Sequence, residues 1–175
     1  MELVISIIAI AISFVSIIVS VVIYQKGVQR EKKEATLEAF NILQEQVFDY
    51  LNQYTYAQIR EICDEWKQVV TDNKNRCNGQ AVNLTEEKQN KRKQCFNEYR
   101  VLSGYLARIE HFSLGVNTGI YDAKIAERAG TSYLVMLYRG KLKPLIETKH
   151  SGDGNTEYYA EFRKLVEKIE KIESR

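Results

Sequence analysis

Three observations predict an all-α fold. Ala, Leu, Glu, Lys, Gln and Arg are plentiful while Pro occurs once, at Pro144, a composition that favours helix over strand. Apolar residues recur at three- and four-residue spacing through most of the chain, the period of a helix with one buried face. The run from Leu3 to Tyr24 holds no charge and no Pro, and a helix of that length matches a hydrocarbon core of about 30 Å. The expected architecture is a single N-terminal transmembrane helix followed by a helical bundle of about five helices.

The apolar run divides the chain into a transmembrane anchor over 1–25, a basic juxtamembrane segment over 26–34 and a helical domain over 35–175. Lys26, Arg30, Lys32 and Lys33 follow the run and only Glu2 is charged before it. Basic flanks stay cytoplasmic, so the expectation is a single-pass protein of the inner (cell) membrane, N-terminus outside and helical domain in the cytoplasm. The four basic residues would contact anionic lipid. A signal peptide fits poorly, with no basic residue ahead of the run and no small-residue cleavage site behind it. Ser6, Ala9, Ser13, Ser16 and Ser20 recur at 3-4-3-4 spacing, with Gly27 one heptad beyond. Small residues on one face let helices approach closely, so the stripe predicts packing against a second copy or another membrane protein.

Within the domain, Leu37, Phe40, Leu43, Val47, Leu51 and Tyr54 form the apolar face of a helix that continues from the anchor. Ile59, Ile62, Trp66 and Val69 make a second segment. The Asn-rich stretch from Thr71 to Asn83 reads as an exposed loop. Thr85 can cap the next helix, with Glu86 and Glu87 in its first turn. That helix carries Phe96, Tyr99, Leu102, Leu106, Ile109 and Phe112 and is expected at the centre of the bundle. Gly115 to Gly119 should break it, and Asp122 should cap a helix with Ile125 and Ala129. Tyr133, Met136 and Leu137 resume an apolar face after Gly130, and Arg139 to Pro144 reads as a turn or kink. His150 to Asn155 reads as a loop, with Asn155 or Thr156 capping a last helix that buries Phe162, Leu165, Ile169 and Ile172.

The formal net charge is only +2, so no global basic field points to nucleic acid. Basic residues do gather between Lys74 and Arg100, yet no aromatics are interleaved in the KRK run, and a solvated face is the default reading. Cys63, Cys77 and Cys95 are odd in number and irregularly spaced, which argues against a disulfide framework. No metal and no cofactor are expected, because a zinc site takes about four ligands. No HExxH and no phosphate-binding Gly-rich loop is present. The spacing of His111 and His150 from the preceding arginines does not fit the Arg–His pair of small helical ribonucleases. No residue is assigned as catalytic.

The strongest polar cluster is Arg108, Glu110 and His111, followed by Gly115, Asn117, Gly119, Tyr121 and Asp122. A carboxylate beside His could serve acid–base chemistry, and a Gly-rich connection could form a binding loop. The competing reading is a helix corner with charges that fix register.

The stretches YLARIEHFSLGVNTGIYD and YRGKLKPLIETKHSGDGNTEYYAEFRKL resemble a bacterial domain family of unknown function, small proteins with one N-terminal membrane helix and a cytoplasmic helical domain. The resemblance rests on Ile109 to Phe112, Gly115 to Gly119, Tyr138 to Ile146 and Tyr159 to Phe162, and departs from the family where Lys149 and His150 stand in place of an Arg. It implies no activity. The layout is also similar to that of membrane-tethered abortive-infection proteins. The expected function is therefore a membrane-anchored interaction or scaffold module that is more readily a binder than an enzyme. The alternatives are a phage-defence or toxin effector acting on the membrane, and a hydrolytic or acid–base enzyme centred on Glu110, His111 and Asp122.

Overall fold

The computed structural model describes the backbone of residues 2–78, 85–153 and 157–173, and the side chains of all these except 2–12, 131, 152, 153 and 173. Every described element is helical, and no strand occurs among the described residues. In chain order they are α1 (Glu2–Leu43), a π-helical turn (Gln44–Phe48), α2 (Asp49–Asn52), α3 (Tyr56–Cys77), α4 (Glu86–Asn117), α5 (Ala123–Met136), a second π turn (Leu137–Lys141), α6 (Lys143–Asp153) and α7 (Ala160–Glu173).

Two corrections follow for the expected architecture. The bundle has more than the expected number of helices, because π turns divide two of the rods. The second correction concerns the anchor. Among the described residues no helix is long and apolar enough to cross a membrane. The transmembrane assignment over 1–25, the single-pass inner-membrane placement and its orientation are withdrawn on that finding. The side chains of Ser6 and Ala9 lie outside the described residues.

The long first rod has two parts of different character. Every described residue from Ser13 to Glu31 is exposed, so this part of α1 stands clear of the bundle. Burial starts at Thr36 and continues through Phe40, Leu43, Val47, Phe48 and Leu51. The stripe read from the sequence is shifted at its start. Leu37 is 46% exposed and Thr36 is fully buried. The Thr36 hydroxyl is satisfied, donating to Lys32 O at 2.6 Å and accepting from Asp122 N–H at 2.7 Å. The π turn closes with Asp49 N–H on Gln44 O. Its extra residue widens the turn so that the adjacent Val47 and Phe48 both face inward.

A capping box ends the first rod's influence. Thr55 and Gln58 bond each other's backbone amides and start α3. α3 extends to Cys77, beyond the expected start of the Asn-rich loop at Thr71. Asp72 explains the extension, because it is buried and bonded by Arg92 of α4 and by Gln68 Nε2 at 3.1 Å. Residues 79–84, which include the last five positions of the expected loop, lie outside the described residues. Thr85 sits at the N-cap of α4 but its side chain makes no cap hydrogen bond.

α4 is the centre of the bundle, as its apolar pattern predicts. It packs on α1, α3, α5 and α7, and Leu102, Leu106 and Ile109 are fully buried. Trp66 of α3 stacks on Tyr99 at 4.6 Å between ring centroids. Gly130 kinks α5, and a Cβ there would sit 2.6 Å from Phe40 Cζ. In α5 Leu134 is buried and Met136 is exposed, the reverse of the expected weight on Met136. The second π turn closes with Leu142 N–H on Leu137 O at 2.8 Å. Pro144 follows as the second residue of α6, where its missing N–H leaves no bond unmade. α6 continues through His150 to Asp153, which corrects the loop expected from His150 onward. The Ser151 hydroxyl donates to Thr148 O at 3.1 Å, and His150 Nε2 lies 2.9 Å from Tyr158 O. Asn155 and Thr156, the expected caps, lie outside the described residues. α7 buries Phe162, Leu165, Val166 and Ile169, while Ile172 is exposed.

Candidate functional site at the end of the central helix

The polar cluster singled out from the sequence lies at the C-terminal end of α4. It divides into two sets of contacts. Glu110 and Asn117 are seven residues apart on one face of α4, and both reach the first turn of α7. Glu110 Oε1 accepts from Glu161 N–H at 3.0 Å and Oε2 from Phe162 N–H at 2.7 Å. Asn117 Nδ2 donates to Glu161 O and to Glu161 Oε2, both at 2.9 Å. The residue before α7 is Tyr159, with φ at +62° and no short polar side chain to accept from the helix N–H groups. The cap that local sequence does not supply comes from Glu110 instead.

Electrostatics agree with this role. A carboxylate at a helix N-terminus faces the positive end of the backbone dipole. The Glu161 carboxyl lies below its ordinary range, held there first by Lys164 and then by the Asn117 amide. Burial, with Glu110 and Tyr158 adding to it, pushes the Tyr159 phenol up to about 12.

The second set locks the corner between α4 and α5. Gly119 has φ at +79° and ends the helix, with its N–H on Val116 O at 3.2 Å. Tyr121 then folds back. Its N–H donates to Gly115 O at 2.9 Å and its ring stacks on Phe112 at 5.5 Å. Gly115 does not break α4 as expected. It is buried in the helix and leaves the space that the Tyr121 ring fills, since a Cβ would meet Tyr121 Cδ2 and Cε2 at 2.5 Å. Asp122 caps α5 as the sequence predicts, Oδ1 accepting from Lys124 N–H at 2.9 Å and Ile125 N–H at 3.1 Å. The Asp122 N–H on Thr36 ties the same corner to α1.

The remaining two members of the cluster point elsewhere. Arg108 is exposed, donates to Gln46 Oε1 at 2.8 Å and lies over the Tyr105 ring at 5.7 Å. His111 is exposed. The carboxylates of Glu110 and Asp122 are thus engaged by backbone amides of two different helices. The arrangement fixes the positions of α1, α5 and α7 about the end of α4. Thr36 and Glu161 belong to it and were not legible as members. Their only sequence signal is a polar residue next to an apolar stripe.

The other predicted residues lie on α1. Ser13, Ser16, Ser20 and Gly27 are exposed along the projecting helix, and a Cβ on Gly27 would meet no atom within 4 Å. Lys26 and Lys33 are exposed, Lys32 is half-buried near Gly119, and Arg30 pairs with Glu34 at 2.8 Å. Cys63 and Cys95 are buried, Cys77 is exposed, and all three are free thiols. Among the described residues no group of three or more His, Cys, Asp or Glu side chains is placed to hold a metal ion.

These features define an all-helical domain held at one end by a polar corner and carrying an exposed apolar helix. Residues 3–169 match the family described as a domain of unknown function, DUF4760. The match covers nearly the whole chain, and the protein belongs to that family. Neither curated proteins nor solved structures gave a match.

Proposed function

We propose that this protein is a helical interaction module that associates with copies of itself through the projecting part of α1. The observation that carries the reading is the exposure of that helix. Between Phe14 and Val28, ten large apolar side chains are exposed, reaching 73% at Tyr24 and 67% at Phe14. They cover every side of the helix except the line of Ser13, Ser16, Ser20 and Gly27, and so large an apolar surface is covered in the working state of a protein. A standard interface takes about 800 Å² from each partner, which is the scale of ten such side chains at about half exposure.

A second copy fits this surface for two reasons. The heptad line Ser13, Ser16, Ser20, Gly27 gives each helix one shallow face on which another backbone can approach. A 3.5-residue repeat also keeps two such faces in contact along a left-handed crossing. The bundle is then a rigid head, fixed to the rod through Thr36, Phe40 and Leu43.

Sedimentation equilibrium of the full chain in dilute nonionic detergent tests the reading. The expected mass is a multiple of 20.3 kDa that falls towards one chain on dilution. Replacing Ser16 and Ser20 by Leu should weaken association by about tenfold, since bulk on the shallow face separates the backbones. A mass of one chain at all concentrations, or capture by lipid vesicles with no self-association, would contradict it.

A further inference from the structure

We propose that the groove between α3 and α4 binds a nucleoside phosphate, with Phe96 as the platform for the base and Arg76 and Lys93 as the phosphate contacts. The groove is open to solvent along one side and has a volume of about 510 Å³, within the range of small-molecule sites. It lies apart from the polar corner and from the projecting helix.

Its chemistry is sorted by depth. At the floor, Asp72 and Arg92 form an ion pair with side chains only 11% and 16% exposed. Asp72 is therefore already neutralised, and its carboxyl lies below its ordinary range because Arg92 bonds it, with Gln68 and the charge of Arg76 adding to the effect. The neighbouring Lys91 is also occupied, by Glu61 at 3.0 Å and Glu65 at 3.3 Å. Arg76 and Lys93 face the same groove, and among the described residues neither is in an ion pair. They leave the groove with a net positive charge suited to a phosphate, and the guanidinium can bond it through two donors.

The second half of the argument is an aromatic ring. Phe96 is 41% exposed in the same groove, beside Val69. It is held by Trp66, whose ring centroid is 5.2 Å away, so the platform is set before any ligand arrives. The KRK run of the sequence lacks aromatics, yet Phe96 is one helical turn after Arg92 and Lys93 and shares their face. Asn73 and Asn97 at the rim carry both donors and acceptors, which suits the edge of a base. An exposed ring beside unpaired cations is the pairing that binds bases and phosphates together.

The base and phosphate can come from a free nucleotide or from a nucleic-acid strand, and the test separates the two. Trp66 is the single tryptophan and packs on Phe96, so its fluorescence reports occupancy of the groove. The full chain would be titrated with AMP, with a decamer of oligouridylate and with inorganic phosphate. AMP should quench Trp66 saturably, and Arg76→Gln and Lys93→Gln should each raise Kd about tenfold. Both residues are exposed, and unchanged circular dichroism would show that the fold is retained. Phe96→Leu should weaken AMP while leaving phosphate unchanged. Binding of the decamer about a hundredfold tighter than AMP identifies a strand as the source, and similar affinity identifies the free nucleotide. No quenching by AMP or the decamer, phosphate binding as tight as AMP, or an unchanged Kd in both charge variants would each overturn the proposal.

Discussion

Replacing Glu110 by Ala should loosen α7 from the bundle without touching any apolar contact. The side chain accepts two backbone N–H bonds, from Glu161 at 3.0 Å and Phe162 at 2.7 Å. Loss of a helix N-cap costs about 1 kcal/mol and up to about 2. The charge at the helix N-terminus adds about 0.5 kcal/mol. Water can reach part of this turn and replaces some of the lost bonding, so the expected cost is about 2 kcal/mol. For a chain of this size that lowers the melting temperature by about 4–8 °C. Glu110→Gln keeps one acceptor oxygen in place and should lose about half as much. Urea unfolding followed by circular dichroism gives the free energies. Hydrogen exchange adds the location, because Glu161 and Phe162 amides should exchange faster while Leu102 and Leu106 amides keep their relative protection. A loss below about 0.5 kcal/mol for Glu110→Ala would refute the capping argument and return Glu110 to the pool of residues available for other chemistry.

Two glycines in α4 should respond with opposite signs. Gly115→Ala drives a Cβ to 2.5 Å from the Tyr121 ring and should cost about 1–2 kcal/mol after the gain in helix propensity, whereas Gly104→Ala meets nothing within 4 Å and should stabilise by about 0.5–1 kcal/mol, both read from urea midpoints. Alkali should destabilise the fold, because burial pushes the Cys63 thiol from 9.0 up to about 11 and the Tyr159 phenol from 10.0 up to about 12. The folded chain then holds protons that the unfolded chain has lost, so stability is complete below about pH 9 and falls as pH rises from there towards 12. Acid destabilises too, through pKa shifts of the opposite sign. Asp72, Glu161 and Glu170 lie below their ordinary values of 3.8, 4.5 and 4.5, so the stability they add is present above those values and is lost as pH falls beneath them. Urea midpoints across pH check both limbs, and a flat alkaline limb would contradict the burial of Cys63 and Tyr159.

Periodicity made the bundle legible, and its failures have local causes. The central position of α4 follows from Leu102, Leu106, Ile109 and Phe112, all buried on one face. The Asp122 cap was legible because a short carboxylate stood just ahead of an apolar pattern. Thr36 was not, because a threonine becomes a core residue only when a partner amide arrives from a distant loop, here Asp122 N–H. Gly115 reads as a helix breaker in sequence and is instead the space for an aromatic ring, a relation set by the fold-back of Tyr121. The extension of α3 to Cys77 depends on the Asp72–Arg92 pair, whose members are twenty residues apart. The polar cluster was legible as a group but not in its use, since Glu110 has no local partner and works on a helix that begins fifty residues later. The apolar run at the start of α1 reads as a complete membrane span in sequence, yet no helix among the described residues is long and apolar enough to cross a membrane.

The most direct test of self-association through α1 is a disulfide scan of the full chain. Cys77, the exposed native thiol, is first replaced by Ser, and single cysteines are placed at Ser16, Ser20 and Gly27 on the shallow face and at Ile18 and Gln25 on the opposite face. The account predicts rapid oxidation to covalent dimers at the first three positions, about tenfold slower at the other two, in the 3.5-residue rhythm of a helix crossing. Equal rates at all five positions, or no cross-linked species at any of them, would contradict it.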